Sequence, residues 1–420
     1  MKENRGNNPE IRSHLRMFAQ LAIMFTLLAP PAWAQNAAPV PLLAKGHEVD
    51  WWLVFKFNAE TFPNSCAGAQ RVCPFGGGTA QSYQHFSQEF AYASSANNTL
   101  QQGGACVGTT TSDPVGATFG QVYNGKFFYV LWNDQFYGDP IKTEGGPFGH
   151  SKGMLAWDQT GDGLVLQVST PDWPASGASA MPRKTDGNTL GCIMHDNDVM
   201  VSQHFFSLKL NKNDVVMVLK ALANASVVTD PTNQQIVNNG GPADIQALVK
   251  TLGKLSPSKQ ATKDKLSSGV TLISKPSNLN VPPWQMVSAM LSGEPLRTAT
   301  WWTKPEIPTT TAATVIGCWD QSLGKPGPVE IATSGTWKGK TIGLEGLAEP
   351  EGNHAKIGVS TGTHTYAIFG DMNQQGSLTP PKCNSSQNER GGLFYVMDNP
   401  ELFAGVKNLI SGGTAPSEGH

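Results

Sequence analysis

Charge is scarce in this chain of 420 residues: Asp, Glu, Lys and Arg make up 15%, and their signs nearly cancel, at −2. That argues against a protein that coats nucleic acid through a broad basic face, although a local basic cleft stays open. No Cys-x-x-Cys occurs among the six cysteines, and Cys66 and Cys73 stand seven apart, so the common zinc-site spacings are absent. Past the first 34 residues no apolar run approaches the roughly 18 residues of a membrane-spanning helix. What is abundant is 45 Gly and 29 Pro within a composition that is 39% hydrophobic, which points to a loop-rich globular protein with much sheet.

Residues 1–34 have the pattern of an export signal: Lys2, Arg5, Arg12 and Arg16 precede the apolar run Met17 to Ala29, and Ala32-Trp33-Ala34 supplies a small-x-small cleavage site. The expected mature protein starts near Gln35, is exported to a periplasm or secreted, and has no membrane segment once the signal is removed. Its removal takes away four basic and two acidic residues, leaving 26 against 30 and a formal charge of −4. All six cysteines, Cys66, Cys73, Cys106, Cys192, Cys318 and Cys383, then meet an oxidising compartment. Up to three disulfides can form; Cys66 with Cys73 as a small loop and Cys318 with Cys383 as a long clasp are the preferred pairings.

The aromatic and β-branched run Val49 to Phe57 reads as a buried strand that opens the fold, and residues 64–120 read as long loops with a few short strands. Further strands are expected over Lys126 to Trp132, Gly153 to Trp157 and Gly163 to Val168. Asn213 can cap a helix from Asp214 to Ala223, and Pro242 suits the first position of a second helix that Gly253 ends. Lys254 to Gly269 reads as a solvated loop. A third helix follows near Trp284, with strands expected at Thr300 to Thr303 and at Thr336-Trp337. Ile357 to Ser360 and Tyr366 to Phe369 then form a strand-turn-strand ending in Gly370-Asp371-Met372-Asn373, a layout like that of Gly153 to Val168 before Ser169-Thr170-Pro171. This parallel suggests an internal duplication, with a half at 35–210 and another at 211–420.

Each hairpin is preceded by a histidine and a lysine two residues apart, His150 with Lys152 and His354 with Lys356. If the halves face each other, both imidazoles and both ammonium groups can converge on one anionic phosphate. Alternation along a strand would put each His and its Lys on one face. Cleaving a phosphodiester takes an in-line nucleophile, a proton donor for the leaving oxygen and positive charge on the equatorial oxygens. One imidazole can attack phosphorus to form a phosphohistidine, the other can give and later take a proton, and the lysines can replace a metal. His195, His204 and His364 read as structural or peripheral.

The residues around these pairs resemble deoxyribonuclease II. Gly149-His150-Ser151-Lys152-Gly153 with Asp158, Gly161, Ser169-Thr170-Pro171 and Pro174 is similar to the family's first active-site block. Asn353-His354-Ala355-Lys356, Val359-Ser360 and Gly370-Asp371-Met372-Asn373 are similar to its second. Val49-Asp50-Trp51-Trp52, Trp132-Asn133-Asp134-Gln135, Arg390-Gly391-Gly392 and Asn399-Pro400-Glu401-Leu402-Phe403 fall in the family's order, so the likeness runs from about residue 49 to 404. The resemblance implies an α/β (α+β) phospholipase D-like fold, two mixed-sheet halves flanked by helices, related by a pseudo-twofold and sharing one active site. It also implies an acid endonuclease that hydrolyses double-stranded DNA to 3′-phosphate ends without metal or other cofactor. His354, His150, Lys152 and Lys356 would be catalytic, His354 the preferred nucleophile, with Asn373, Asp371 and Ser169 binding substrate or supporting them. The superfamily's Gly-Ser-x-Asn is better kept after His354 than after His150, and where animal members have a histidine before Ser-x-Pro this chain has Val168. A phospholipase D-like esterase on another substrate and a non-catalytic exported DNA-binding protein are the alternatives; a homodimer is compatible with any of these.

Overall fold

Apolar and β-branched stretches that alternate, or run fully apolar, build two large sheets, as their composition leads one to expect. The structure, a computed structural model, describes residues 38–65, 85–108, 110–136, 138, 140–142, 144–172, 176–182 and 199–417. The export signal, Cys66, Cys73, Cys192, Pro174 and His195 lie outside the described residues.

A small ribbon of β1 (Leu42–Ala44) and β2 (His47–Glu48) leads into β3 (Trp51–Lys56), every residue of which is buried. The hairpin β4 (Phe90–Ser94) and β5 (Asn97–Gln102) follows, then α1 (Pro114–Tyr123), β6 (Phe128–Asn133), β7 (Lys152–Trp157), β8 (Gly163–Val168), β9 (Gln203–Leu210) and α2 (Lys212–Asn224). Then come β10 (Val237–Asn238), α3 (Ala243–Val249), β11 (Thr262–Lys265), β12 (Thr271–Lys275), α4 (Pro283–Met290), β13 (Leu296–Ala299) and β14 (Val329–Ile331). After a second ribbon, β15 (Ser334–Trp337) with β16 (Lys340–Gly343), the chain closes with β17 (Ile357–Ser360), β18 (Tyr366–Gly370), β19 (Gly392–Asp398) and α5 (Pro400–Leu409).

The first large sheet has the order β10-β6-β7-β8-β9-β3-β4-β5 and the second β11-β12-β19-β18-β17-β13-β14. All pairings are antiparallel except β13 with β14, so the fold is mixed α/β. With β4, β5 and β10 set aside, the chain order in and beside the first sheet is β3, α1, β6, β7, β8, β9 and α2; with β11, β14, β15 and β16 set aside, it is β12, α4, β13, β17, β18, β19 and α5 in and beside the second. The outer strand β10 of the first sheet comes from beyond residue 210. One continuous core joins the sheets, with Phe206 of β9 stacked on Phe369 of β18 at 4.9 Å and tilted against Tyr395 of β19 at 5.4 Å.

Several sequence expectations need correction. Asn211, not Asn213, caps α2: its side chain accepts from Asp214 N (3.0 Å) while Asp214 reaches back to Asn211 N (3.4 Å), a reciprocal pair that starts the helix two residues earlier. Pro242 is the cap residue of α3 rather than its first helical position. The lysine-rich stretch after Lys254 contains the edge strand β11, whose alternating exposed residues hide its pairing with β12. Helix α1 lies in a region that reads as loop because Gly116 and Gly120 interrupt it; a Cβ at Gly116 would come within 1.9 Å of Thr110 O, so the close approach demands glycine. Thr300 to Thr303 is no strand: pairing ends at Ala299, and the indole of Trp302 donates to Ile307 O instead (2.8 Å).

The expected Cys318–Cys383 disulfide is present, and Cys106 is also disulfide-bonded, which fits an exported protein. Among the described residues no helix is long and apolar enough to cross a membrane. The Cys318–Cys383 bond closes 65 residues of chain, so replacing both cysteines with alanine should cost about 4 kcal/mol by the chain-entropy estimate, read as a lower urea midpoint. An unchanged midpoint would show that the denatured chain is already restricted there.

Candidate active site

His150 and His354 stand where the two sheets meet, 6% and 9% exposed. Neither lies in a strand. β7 begins at Lys152 and β17 only at Ile357, so the histidines sit on the extended lead-in to each hairpin, and strand alternation does not set their direction. Contacts across the sheets do. His150 Nδ1 is 2.7 Å from the carbonyl oxygen of Asp371, the first residue after β18. His354 Nδ1 is 2.8 Å from the carbonyl oxygen of Ser169, the first residue after β8. The main-chain N–H groups cross over in the same way, His150 N to Gly391 O (2.8 Å) and His354 N to Ser202 O (2.7 Å). Gly391 and Ser202 immediately precede β19 and β9.

A carbonyl oxygen can only accept, so each Nδ1 carries the proton and each Nε2 is left as the basic nitrogen. Glycines allow the approach. Ala225, at the C-terminus of α2, lies between Gly149 and Gly391, and a Cβ on either would meet Ala225 O at 2.5 Å or 2.1 Å.

The lysines are buried beside the imidazoles. Lys152 Nζ donates to Asp134 Oδ1 (2.5 Å), and the other carboxylate oxygen accepts from Arg390 (2.7 Å). Arg390 also donates to Phe148 O (2.8 Å) and Gly149 O (3.1 Å), binding the His150 segment to the second sheet. Burial pushes Asp134 up, but Lys152 and Arg390 outweigh it and hold the carboxyl well below its usual range. Lys356 Nζ donates to His354 O (2.5 Å), and Lys356 N to His204 Nδ1 (3.1 Å). Burial holds both site imidazoles well below 6.5, reinforced by Lys152 at His150 and by Lys356 and Lys152 at His354; Asp134 works the other way at His150. The four His-x-Lys side chains are thus close enough to feel one another's charge.

The other residues singled out from the sequence are placed unequally. Ser169 and Asp371 bear on the site through their carbonyls, while their side chains serve the scaffold. Ser169 Oγ donates to Gln203 Oε1 (2.5 Å), and the Asp371 carboxyl accepts from Gln167 Nε2 (2.9 Å) and Leu393 N (2.9 Å). Burial pushes Asp371 up to about 7 despite these bonds and one from Ser151. Asn373 lies a step away, its amide donating to Gln375 Oε1 (2.8 Å) and its Oδ1 buried without a partner.

Three contributors, Asp134, Arg390 and Trp301, escaped the sequence reading, and His204, expected to be structural or peripheral, packs beside them. Asp134 and Arg390 lie in the Trp132 to Gln135 and Arg390 to Gly392 blocks already quoted, and their pairing with Lys152 is the missing signal. His204 is fully buried, and burial with Lys356 pushes it down to about 3. Trp301 stands edge-on to the His354 ring, centroids 5.1 Å apart.

The deoxyribonuclease II family model matches residues 42–414. The chain belongs to the deoxyribonuclease II family. As a member it is a hydrolase, a deoxyribonuclease. It is similar to mouse deoxyribonuclease-2-alpha, at 24% identity over 410 residues that cover 91% of this chain and 95% of that protein. In this family member, Asp134 is the counter-charge to the buried Lys152 and the partly buried Arg390. Asp134→Asn should cost roughly 3–5 kcal/mol, because Lys152 would stay buried without its counter-charge. The ionised carboxyl stabilises fully above the ordinary carboxylate pKa of 3.8, and that stabilisation is lost as pH falls below it. Urea unfolding against pH should therefore show a flatter acid limb in the variant; the same steep limb in both proteins would contradict this role.

Proposed function

We propose that this deoxyribonuclease is an acid endonuclease that cuts DNA without a metal, through His150 and His354, and leaves 3′-phosphate ends. The observation that carries the reading is the crossed pair of Nδ1–carbonyl hydrogen bonds, which gives both imidazoles a free Nε2 beside two lysines. His354 Nε2 attacks phosphorus. A P–N bond forms, the P–O5′ bond breaks, and His150 in its protonated form gives its proton to the departing 5′ oxygen. Water then attacks the phosphohistidine, giving its proton to His150; the P–N bond breaks and a 3′-phosphate is released. Lys152 and Lys356 balance the charge on the non-bridging oxygens. Asp134, on the side of His150, favours a proton there, which supports His150 as the acid and His354 as the nucleophile.

Two further parts of the reading have support. The matching succession of elements in the two sheets supports halves that meet at one site. The disulfides support export to a periplasm or the medium.

The pH dependence follows from burial. With both imidazoles held well below 6.5, the free enzyme at neutral pH has two neutral histidines and no acid. Lowering the pH raises the fraction with His150 protonated, and a bound phosphate stabilises that form. The rate should therefore climb as pH falls from 7 toward about 5.

Plasmid cleavage across this range with EDTA present is the deciding assay. Nicking and linearisation should persist in chelator and strengthen in acid, and the product ends should need a phosphatase before 3′ extension. A strict metal requirement would sink the mechanism. His354→Ala and His150→Ala should each lower the rate by about a thousandfold or more while DNA binding survives. Reactions quenched in alkaline detergent, which spares a P–N bond, should carry a 3′-phosphoryl DNA strand on the wild-type protein but not on His354→Ala; label retained on that variant would reassign the nucleophile.

A further inference from the structure

Two buried lysines near this site have no part in the chemistry above. Lys56 is the last residue of β3 and Lys275 the last of β12, and both have no exposed surface. Lys56 Nζ donates to the carbonyls of Ser87 (3.0 Å) and Val199 (3.1 Å). Lys275 Nζ donates to those of Asn388 (2.7 Å), Arg390 (2.8 Å) and Pro276 (3.4 Å).

The register of these lysines repeats between the sheets. Lys56 stands opposite Gln203, one residue after Ser202, and Lys275 stands opposite Gly392, one residue after Gly391. Ser202 and Gly391 are the residues whose carbonyls receive the main-chain N–H of His354 and His150. Each lysine therefore ties down the chain just ahead of the carbonyl that anchors one histidine, and that histidine belongs to the other hairpin.

An ammonium group buried among carbonyl oxygens is costly, and burial alone pushes Lys275 down to about 7. In return each ammonium satisfies carbonyl oxygens of the chain beside the site, which an apolar side chain would leave unpaired. That local gain does not explain why both sheets place a lysine at the same register, one step from the residue that anchors a histidine. A reaction that tolerates little displacement of its nucleophile and acid does.

We propose that Lys56 and Lys275 are positioning residues for DNA hydrolysis, Lys56 fixing His354 through Ser202 and Lys275 fixing His150 through Gly391. The proposal rests on the histidine-pair reading above. Neither lysine needs to touch DNA.

The test uses the full chain with Lys56→Met, Lys56→Gln, Lys275→Met and Lys275→Gln, beside His150→Ala and His354→Ala. In folded variants kcat should fall about 10- to 100-fold with KM within about twofold, and less for Gln, which keeps one donor group. Imidazole NMR supplies the readout that a general loss of stability would not move. Substitution at Lys275 should shift the His150 signals and spare those of His354, and substitution at Lys56 should do the reverse. If the Met variants fail to fold, the Gln variants decide. Unchanged kcat, or both histidines shifting alike in every variant, would overturn the proposal. Should both alanine variants still cut DNA, the histidine-pair reading fails and takes this proposal with it; if they are inactive while the lysine variants match wild type, only the lysine roles fail.

Discussion

The site depends on two imidazole–carbonyl hydrogen bonds that cross between the sheets. Each contributes only about 1 kcal/mol net, too little to hold the sheets together. That work falls to the shared core, with Phe206 packed on Phe369 and Tyr395. What the crossed bonds decide is the tautomer. A carbonyl cannot donate, so Nδ1 is protonated and Nε2 keeps its lone pair. His204 shows the opposite case in the same neighbourhood: its Nδ1 accepts from Lys356 N, so its basic nitrogen is already used and the ring is a structural part.

Because each bond joins the start of one hairpin to the end of the other, the sheets must meet in one register. Gly149 and Gly391 let the Ala225 backbone lie between them, and Arg390, two residues before β19, carries the same connection to Phe148 and Gly149. The electrostatics depend on this closeness as well. In a chain with few charges, Lys152, Arg390 and Lys356 come together under buried histidines, and Asp134 neutralises part of that charge. The result holds the imidazoles neutral until an anion or acid arrives.

The parts of this arrangement legible in the sequence are local ones. The β7–β8 and β17–β18 hairpins stand out because apolar runs are broken by short polar turns, and the His-x-Lys pairs are visible because each lies just before such a run. Asp134, Arg390 and Trp301 act through partners distant in sequence, and although the first two lie in blocks that resemble the family, nothing local marks their pairing with Lys152. Trp301 and Trp302 are misleading for a physical reason: aromatic and β-branched composition imitates a strand, whereas here one ring lies against His354 and the other indole closes a turn onto Ile307. The strand β11 is hidden by its exposed lysines, which suit an edge that should not pair with another chain.

The weak motif after the first histidine loses much of its weight once the carbonyls are considered. Val168-Ser169-Thr170-Pro171 and Gly370-Asp371-Met372-Asn373 share little side-chain chemistry, yet Ser169 and Asp371 hold the same position after β8 and β18 and present the same group to the opposite imidazole. Any residue supplies a carbonyl. The side chains at these places answer to their own neighbours, Ser169 to Gln203 and Asp371 to Gln167, Ser151 and Leu393. Val168 is part of the core at 1% exposure, and the ring of His354 is held by the Ser169 carbonyl beside it. Substitutions at Ser169 and Asp371 should then follow packing and buried hydrogen bonding around each strand end, while the geometry of the histidines is kept by the backbone carbonyls after β8 and β18.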